Sequence, residues 1–166
     1  VRQATPTPEV ESNNTAATAN VLIPSGASFG FAIGSINNEI DYFSVAATAG
    51  STVLLSGDGD PDRDGNSPYF GMTLLAPDGT TELFSVISPP NDGGADLAAA
   101  SYCYTFPSTG TYFVRVDREG FTDTDNQYQL MASLYTSLAA ADVATTITAP
   151  AMVNATAGAP PGAATG

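Results

Sequence analysis

Two clusters of short oxygen-bearing side chains are the candidates for chemistry. The first is Asn37, Asn38, Glu39 and Asp41, directly before Tyr42-Phe43-Ser44-Val45. In that run aromatic and β-branched residues alternate as those of a strand do. Oxygens gathered at the mouth of a strand can hold a hard cation or simply make a turn. The spacing alone leaves both open. The second cluster is Asp58-Gly59-Asp60-Pro61-Asp62-Arg63-Asp64-Gly65-Asn66, four carboxylates within seven residues. Such charges repel each other unless a cation or Arg63 compensates them. Counted from Asp60, the residues Asp62, Asp64 and Gly65 match three positions of an EF-hand loop. The closing glutamate is replaced by Gly71, and no flanking helices are expected. An EF-hand is excluded, whereas a calcium loop of another shape and a solvated acidic loop both stand. Asp123-Thr124-Asp125-Asn126 reads as a loop, and the sequons at Asn13 and Asn154 carry little weight.

What the chain lacks removes most enzymes. Its 166 residues hold 17 acidic side chains, four arginines, no lysine, no histidine and no tryptophan, for a net charge of −13. Without histidine there is no Ser-His or Cys-His pair and no histidine-bound zinc or iron. Without lysine there is no Schiff base. A glycosidase needs two carboxyls about 5–10 Å apart across a sugar cleft, and no spacing here selects a pair. Cys103 is the lone cysteine; with no base to activate it, it is expected to be a small buried hydrophobe. No catalytic activity is expected. The negative charge repels nucleic acid and anionic membrane surfaces, and no apolar run approaches the roughly 20 residues needed to span a bilayer.

The elements that would position these clusters are short strands. Phe29, Phe31 and Ile33 alternate with small residues. Tyr42–Ala46, Thr52–Ser56, Met72–Ala76, Glu82–Ser88, Leu97–Phe106, Thr111–Val116 and Tyr128–Tyr135 follow. Ala49-Gly50, Pro77-Asp78-Gly79, Pro89–Gly94 and Pro107–Gly110 punctuate them. Ala16–Asn20 reads as a short helical turn, with Asn13-Asn14-Thr15 able to cap it. Eight or nine evenly spaced strands without an amphipathic helix predict an all-β fold, an antiparallel β-sandwich. Three segments are expected: an extended lead-in over 1–8, a sandwich over 9–136, and a tail over 137–166. The tail holds eleven alanines, three prolines and one charge. Its Val143–Thr148 and Met152-Val153 could each add a strand to a sheet edge. The start at Val1 and the acidic, lysine-free composition lead to the expectation of an exported protein, extracellular or at the cell surface, whose leader has been removed.

Taken in order, Glu9-x-Glu11-x-Asn13-Asn14-Thr15, Gly34-x-Ile36, Asp41–Val45, Ala49–Val53, Leu74–Gly79, Gly110–Val116 and Tyr128-x-Leu130 resemble the bacterial pre-peptidase C-terminal (PPC) domain family. It is a resemblance to the type found as collagen-binding segments of secreted collagenases. The ordered set covers about residues 9–135, although no single block is specific. The resemblance implies a jelly-roll-like sandwich, secretion, no catalytic residues and, in some members, bound calcium. Carried over by position, the calcium ligands are Glu9, Glu11, Asn13, Asn14, Asn38 and Asp41, with Asn38 standing where the calcium-binding pattern has an aspartate. This mixture of carboxylate and amide oxygens is what Ca2+ takes, six to eight at roughly 2.3–2.6 Å. Asp58, Asp60, Asp62 and Asp64 form a weaker second candidate. The expected function is a calcium-binding structural subunit that assembles with itself, through the tail or the N-terminal segment, into an extracellular fibre or surface layer. The alternative is a substrate-binding or secretion-associated module of a secreted hydrolase. An extracellular protein or polysaccharide is the expected outside partner.

Overall fold

Alternation decides the architecture. In a computed structural model, which describes residues 5–36, 39–62, 70–87, 99–118 and 127–136, every second side chain of the long strands is buried. The pattern is strict in β4 (Asp41–Ala47) and β5 (Thr52–Asp58). It recurs in β3 (Phe29–Ser35) and β10 (Gln127–Tyr135). Strands with one apolar face must bury it against another layer, and here two five-stranded sheets do so. One has the order β1-β3-β10-β5-β8 and the other β2-β4-β9-β6-β7. The remaining strands are β1 (Thr7–Pro8), β2 (Asn20–Ile23), β6 (Phe70–Leu75), β7 (Glu82–Ile87), β8 (Ala99–Thr105) and β9 (Gly110–Arg118).

The chain passes from one sheet to the other at nearly every step from β3 to β10, as in a jelly roll; among the described residues β6–β7 is the sole hairpin of consecutive strands. Ala49-Gly50 and Pro107–Gly110 are turns, as expected, but they carry the chain across the sandwich. They are tied together where Gly50 N donates to Phe106 O at 2.8 Å and Phe106 N to Ser51 O at 2.9 Å. The β6–β7 turn is built on Asp78. Its Oδ1 accepts from Thr80 N and Thr81 N, both at 2.8 Å, and its Oδ2 accepts from the Thr81 hydroxyl at 2.6 Å. Gly79 supplies the positive φ of 73° that this turn requires.

Between the sheets lie Phe43, Val45, Val53, Leu55, Met72, Leu74, Tyr112, Val114, Val116, Tyr128 and Leu130, each buried to 1% exposure or less. Each large apolar side chain contributes about 1.5–3 kcal/mol on burial. At the far edge, where β7 and β8 face each other, Phe84 and Tyr102 stack across the sheets with ring centroids 4.4 Å apart.

The expected all-β sandwich is present, and three details differ from expectation. Ten strands are present among the described residues rather than eight or nine. The additions, β1 and β2, come from the N-terminal segment and pair parallel, β1 with β3 and β2 with β4, so neither sheet is purely antiparallel. The helical turn is a shorter 3₁₀ turn, Ala16–Thr18, because Asn20 already belongs to β2. Cys103 is exposed. It faces away from the core because its neighbours Tyr102 and Tyr104 point inward, and alternation sends Cys103 the other way. Residues 137–166, and with them the expected tail strands, lie outside the described residues.

Candidate cation site at the N-terminal edge

The N-terminal segment is laced along one edge of the sandwich and touches both sheets. β1 lies on β3, and directly after it Glu9 N donates to Ile33 O at 2.9 Å. Asn20 then clamps Val10 from both sides: its Oδ1 accepts from Val10 N at 2.6 Å and its Nδ2 donates to Val10 O at 3.0 Å. Asn13 O accepts from Tyr42 N at 2.9 Å, fastening the segment beside the start of β4. The 3₁₀ turn that follows is capped by Thr15, whose carbonyl accepts from Thr18 N at 3.0 Å and whose hydroxyl meets that of Thr18 at 2.9 Å. β2 completes the path on the edge of the second sheet.

This path brings together three carboxylates that the sequence keeps apart. Glu9, Glu11 and Asp41 each offer an oxygen, and these oxygens all lie within 4.8 Å of one another. Asp41, the first residue of β4, is fully buried, Glu9 half-buried and Glu11 exposed. The Tyr128 hydroxyl donates to Asp41 Oδ2 at 2.6 Å and lies 3.1 Å from Glu9 Oε2. A phenol has one proton, which serves the shorter contact. Ser35 N donates to Glu9 Oε1 at 2.5 Å, and Asn13 N to Glu11 Oε2 at 3.3 Å. Gly34 makes room for this arrangement. It stands opposite Tyr128 in the β3–β10 ladder, and a Cβ there would collide with the Glu9 carboxylate and the Tyr128 hydroxyl.

Among the described residues the site concentrates negative charge without a basic neighbour. Arg115, the one arginine whose side chain is described, is engaged elsewhere, with Asp117 at 2.9 Å and Glu82 at 3.3 Å. Burial pushes the Asp41 carboxyl up to about 8; the Tyr128 hydrogen bond opposes this, while the charges of Glu9 and Glu11 add to it. Burial, reinforced by Asp41 and Glu9, likewise pushes the Tyr128 phenol far up, so it remains a donor.

The donor set is suited to a hard cation. Asp41 Oδ1 and both amide atoms of the fully buried Asn13 have no hydrogen-bond partner among the described residues. Buried polar atoms left in this way are costly unless something engages them. Carboxylate and amide oxygens alone, with no nitrogen or sulfur donor, match calcium rather than a softer metal. The residues therefore fit the ion that the sequence resemblance implies.

Of the predicted ligands, Glu9, Glu11 and Asp41 are thus in one cluster, and Asn13 is fastened by its backbone between Glu11 and β4. The Asn14 side chain is exposed, and Asn38 lies outside the described residues. Burial of Asn13 also removes it as a glycosylation acceptor. In the second cluster Asp58 ends β5, Asp60 is buried and Asp62 exposed, with Asp60 N donating to Asp58 Oδ1 at 3.1 Å; Asp64 lies outside the described residues. Sequence reasoning missed Tyr128, Gly34 and Asn20. The signal for Tyr128 was a tyrosine on the inward side of an apolar strand, where its hydroxyl must find a partner.

No family model and no curated protein matches the chain. Among solved structures it is similar to PliG of Aeromonas hydrophila, a periplasmic lysozyme inhibitor of g-type lysozyme, at 16% identity, over 70% of this chain and 96% of that one, with a TM-score of 0.47. It is similar to the pre-peptidase C-terminal domain of a collagenase from Bacillus anthracis at 14% identity, over 70% of this chain and 93% of that one, with a TM-score of 0.46. A third is CBM27-1 of Caldicellulosiruptor saccharolyticus, solved with mannohexaose, at 9% identity, over 69% and 70% of the two chains, with a TM-score of 0.39. The second belongs to the family that the sequence resembles. No helix among the described residues is long and apolar enough to cross a membrane.

Proposed function

We propose that this chain is a non-catalytic, exported β-sandwich module that binds calcium at its N-terminal edge and serves as a self-assembling subunit of an extracellular fibre or surface layer. One observation carries the calcium reading: three carboxylates converge beside a buried Asn13 and an unpartnered Asp41 oxygen, with no described basic side chain to neutralise them. Glu9, Glu11, Asp41 and Asn13 would hold the ion. When bound, it supplies the positive charge that the cluster lacks. The protein's own contribution is positional. β4 presents Asp41, the Ile33–Glu9 hydrogen bond sets Glu9, and the Tyr128 phenol holds one Asp41 oxygen, leaving the other, unpartnered among the described residues, as the one that would serve the ion.

The test is a thermal melt with calcium and with a chelator. A ligand that binds the folded state alone stabilises it by about 2.7 kcal/mol at a hundredfold excess over its Kd. Calcium is expected to raise Tm in the wild type and to leave Asp41→Asn unmoved. Equal melting of the wild type in both conditions would end the calcium reading.

Self-assembly is supported by the composition of residues 137–166, which are nearly free of charge in a strongly anionic chain. Copies lacking them are expected to remain discrete particles under the electron microscope, where the full chain forms extended assemblies. Discrete particles from the full chain, bound to an extracellular polymer, would instead favour the accessory-module reading.

A further inference from the structure

One end of the sandwich holds an open cavity of about 420 Å³ that the cation site does not use. It is lined by Ala27 from the β2–β3 turn, Ala47 at the end of β4, Gly110 at the start of β9, and Leu134 and Thr136 where β10 leaves its sheet. The remaining walls are glycine, alanine, serine and threonine, so Leu134 is the one large apolar side chain in the lining and no charge is present there. The ladder of β10 with β3 ends at Ser133 opposite Phe29, and its ladder with β5 ends at Tyr135 opposite Thr52. Between these two rungs Leu134 N donates to Ser28 O at 2.7 Å. Alternation along β10 is regular: Tyr128, Leu130, Ala132 and Leu134 are buried, and Thr136, next in that series, lines the cavity. The following member of the series is Leu138.

We propose that this cavity is the seat of Leu138 from the same chain, which closes the end of the core and lays residues 137–141 against the sandwich. Reach permits it. Two residues beyond Thr136 span about 7 Å when extended, and Thr136 already stands on the rim. Composition matches the walls. Residues 137–141 read Ser-Leu-Ala-Ala-Ala, with Leu138 as the one large apolar side chain and no charge before Asp142. An apolar cavity of roughly 150 Å³ holds a benzene-sized molecule, so a leucine side chain has room here. Tethering selects this occupant over a second copy, because a segment attached beside its seat has an effective concentration in about the millimolar range. The contact involves residues 137–141 alone and leaves residues 142–166 for contacts between copies. It depends neither on calcium nor on self-assembly.

Thermal melts and thiol protection of the full chain test it. Leu138→Asp is expected to lower Tm by about 4–8 °C, Leu138→Ala by less, and Leu138→Met to stay near the wild type. Val153→Asp, farther along the tail, is expected to leave Tm unmoved. In a Cys103→Ser background, which removes the exposed native thiol, the thiol introduced by Leu138→Cys is expected to react with maleimide at least about tenfold more slowly in the folded protein than in urea, because closed local structure protects what it covers. That protection is expected to be the same at every protein concentration. A Leu138→Asp melt equal to the wild type overturns the proposal, as does an equal loss in Val153→Asp, since the effect then does not belong to Leu138. An unprotected thiol overturns it too. Protection that grows with protein concentration overturns it as well, because the occupant is then the segment of another copy.

Discussion

The Tyr128 phenol and the Asp41 carboxylate join the two sheets of the sandwich: Tyr128 belongs to β10, Asp41 to β4, and 2.6 Å separates their oxygens. Tyr128→Phe removes this donor from a buried carboxyl. In calcium-free buffer the variant is expected to lose about 1–3 kcal/mol of unfolding free energy, read from urea denaturation. Wild-type stability in that variant would mean that the bond is not a net stabiliser.

The same pair makes stability depend on pH. Asp41 is raised to about 8 in the folded protein against an ordinary 3.8. Between those values the folded state therefore holds a proton that the unfolded state has released. Metal-free protein is expected to lose stability as pH rises from about 4 to 8, through this group, and to level off above. Calcium takes the ionised form, so its stabilising effect is expected to grow over that range, with protons released on binding. Melts at stepped pH, with and without calcium, check both slopes. Asp41→Asn is expected to flatten them.

Gly34→Ala places a methyl group against the Glu9 carboxylate and the Tyr128 hydroxyl. Overpacking at such a site costs about 1–3 kcal/mol, and moving Glu9 also disturbs the cluster. Lower stability together with weaker calcium binding by calorimetry is expected. A loss of stability with unchanged calcium affinity would place Glu9 outside the site.

Asp78 behaves in the opposite sense to Asp41. Donors from the Thr81 side chain, the Thr81 and Thr80 backbone hold its carboxyl down at about 2. A depressed carboxylate contributes its stability above the ordinary value and loses it as pH falls. Asp78→Ala is expected to melt below the wild type near neutrality, the gap closing as pH falls toward 2.

Period two made the long strands readable. Burial alternates without interruption over Asp41–Ala47 and over residues 111–117. β1 was not readable, because two residues, one of them a proline, carry little strand preference of their own; β2 has the β-branched Val21 and Ile23 but is only four residues long, and tertiary pairing recruits both. Cys103 shows the rule misapplied. With Tyr102, Tyr104 and Phe106 on the inner face, alternation already required Cys103 to face outward. The three clustered carboxylates, Glu9, Glu11 and Asp41, were visible as residue types and through the family resemblance. Tyr128, 87 positions from Asp41, was not, because nothing local in a sequence reports which strands become neighbours.

The two-residue ladder of β1 has a mechanical consequence. Among the described residues, tension applied from the N-terminal side meets the Thr7 and Pro8 pairs with β3, the Glu9–Ile33 hydrogen bond and the Asn20 clamp on Val10 before it reaches Glu11. On the calcium reading, a bound ion would add a further resistance there by linking Glu9 and Glu11 to Asp41 at the root of β4. The ion would then act as a rivet, setting the force at which the leading segment peels away while the rest of the sandwich stays folded.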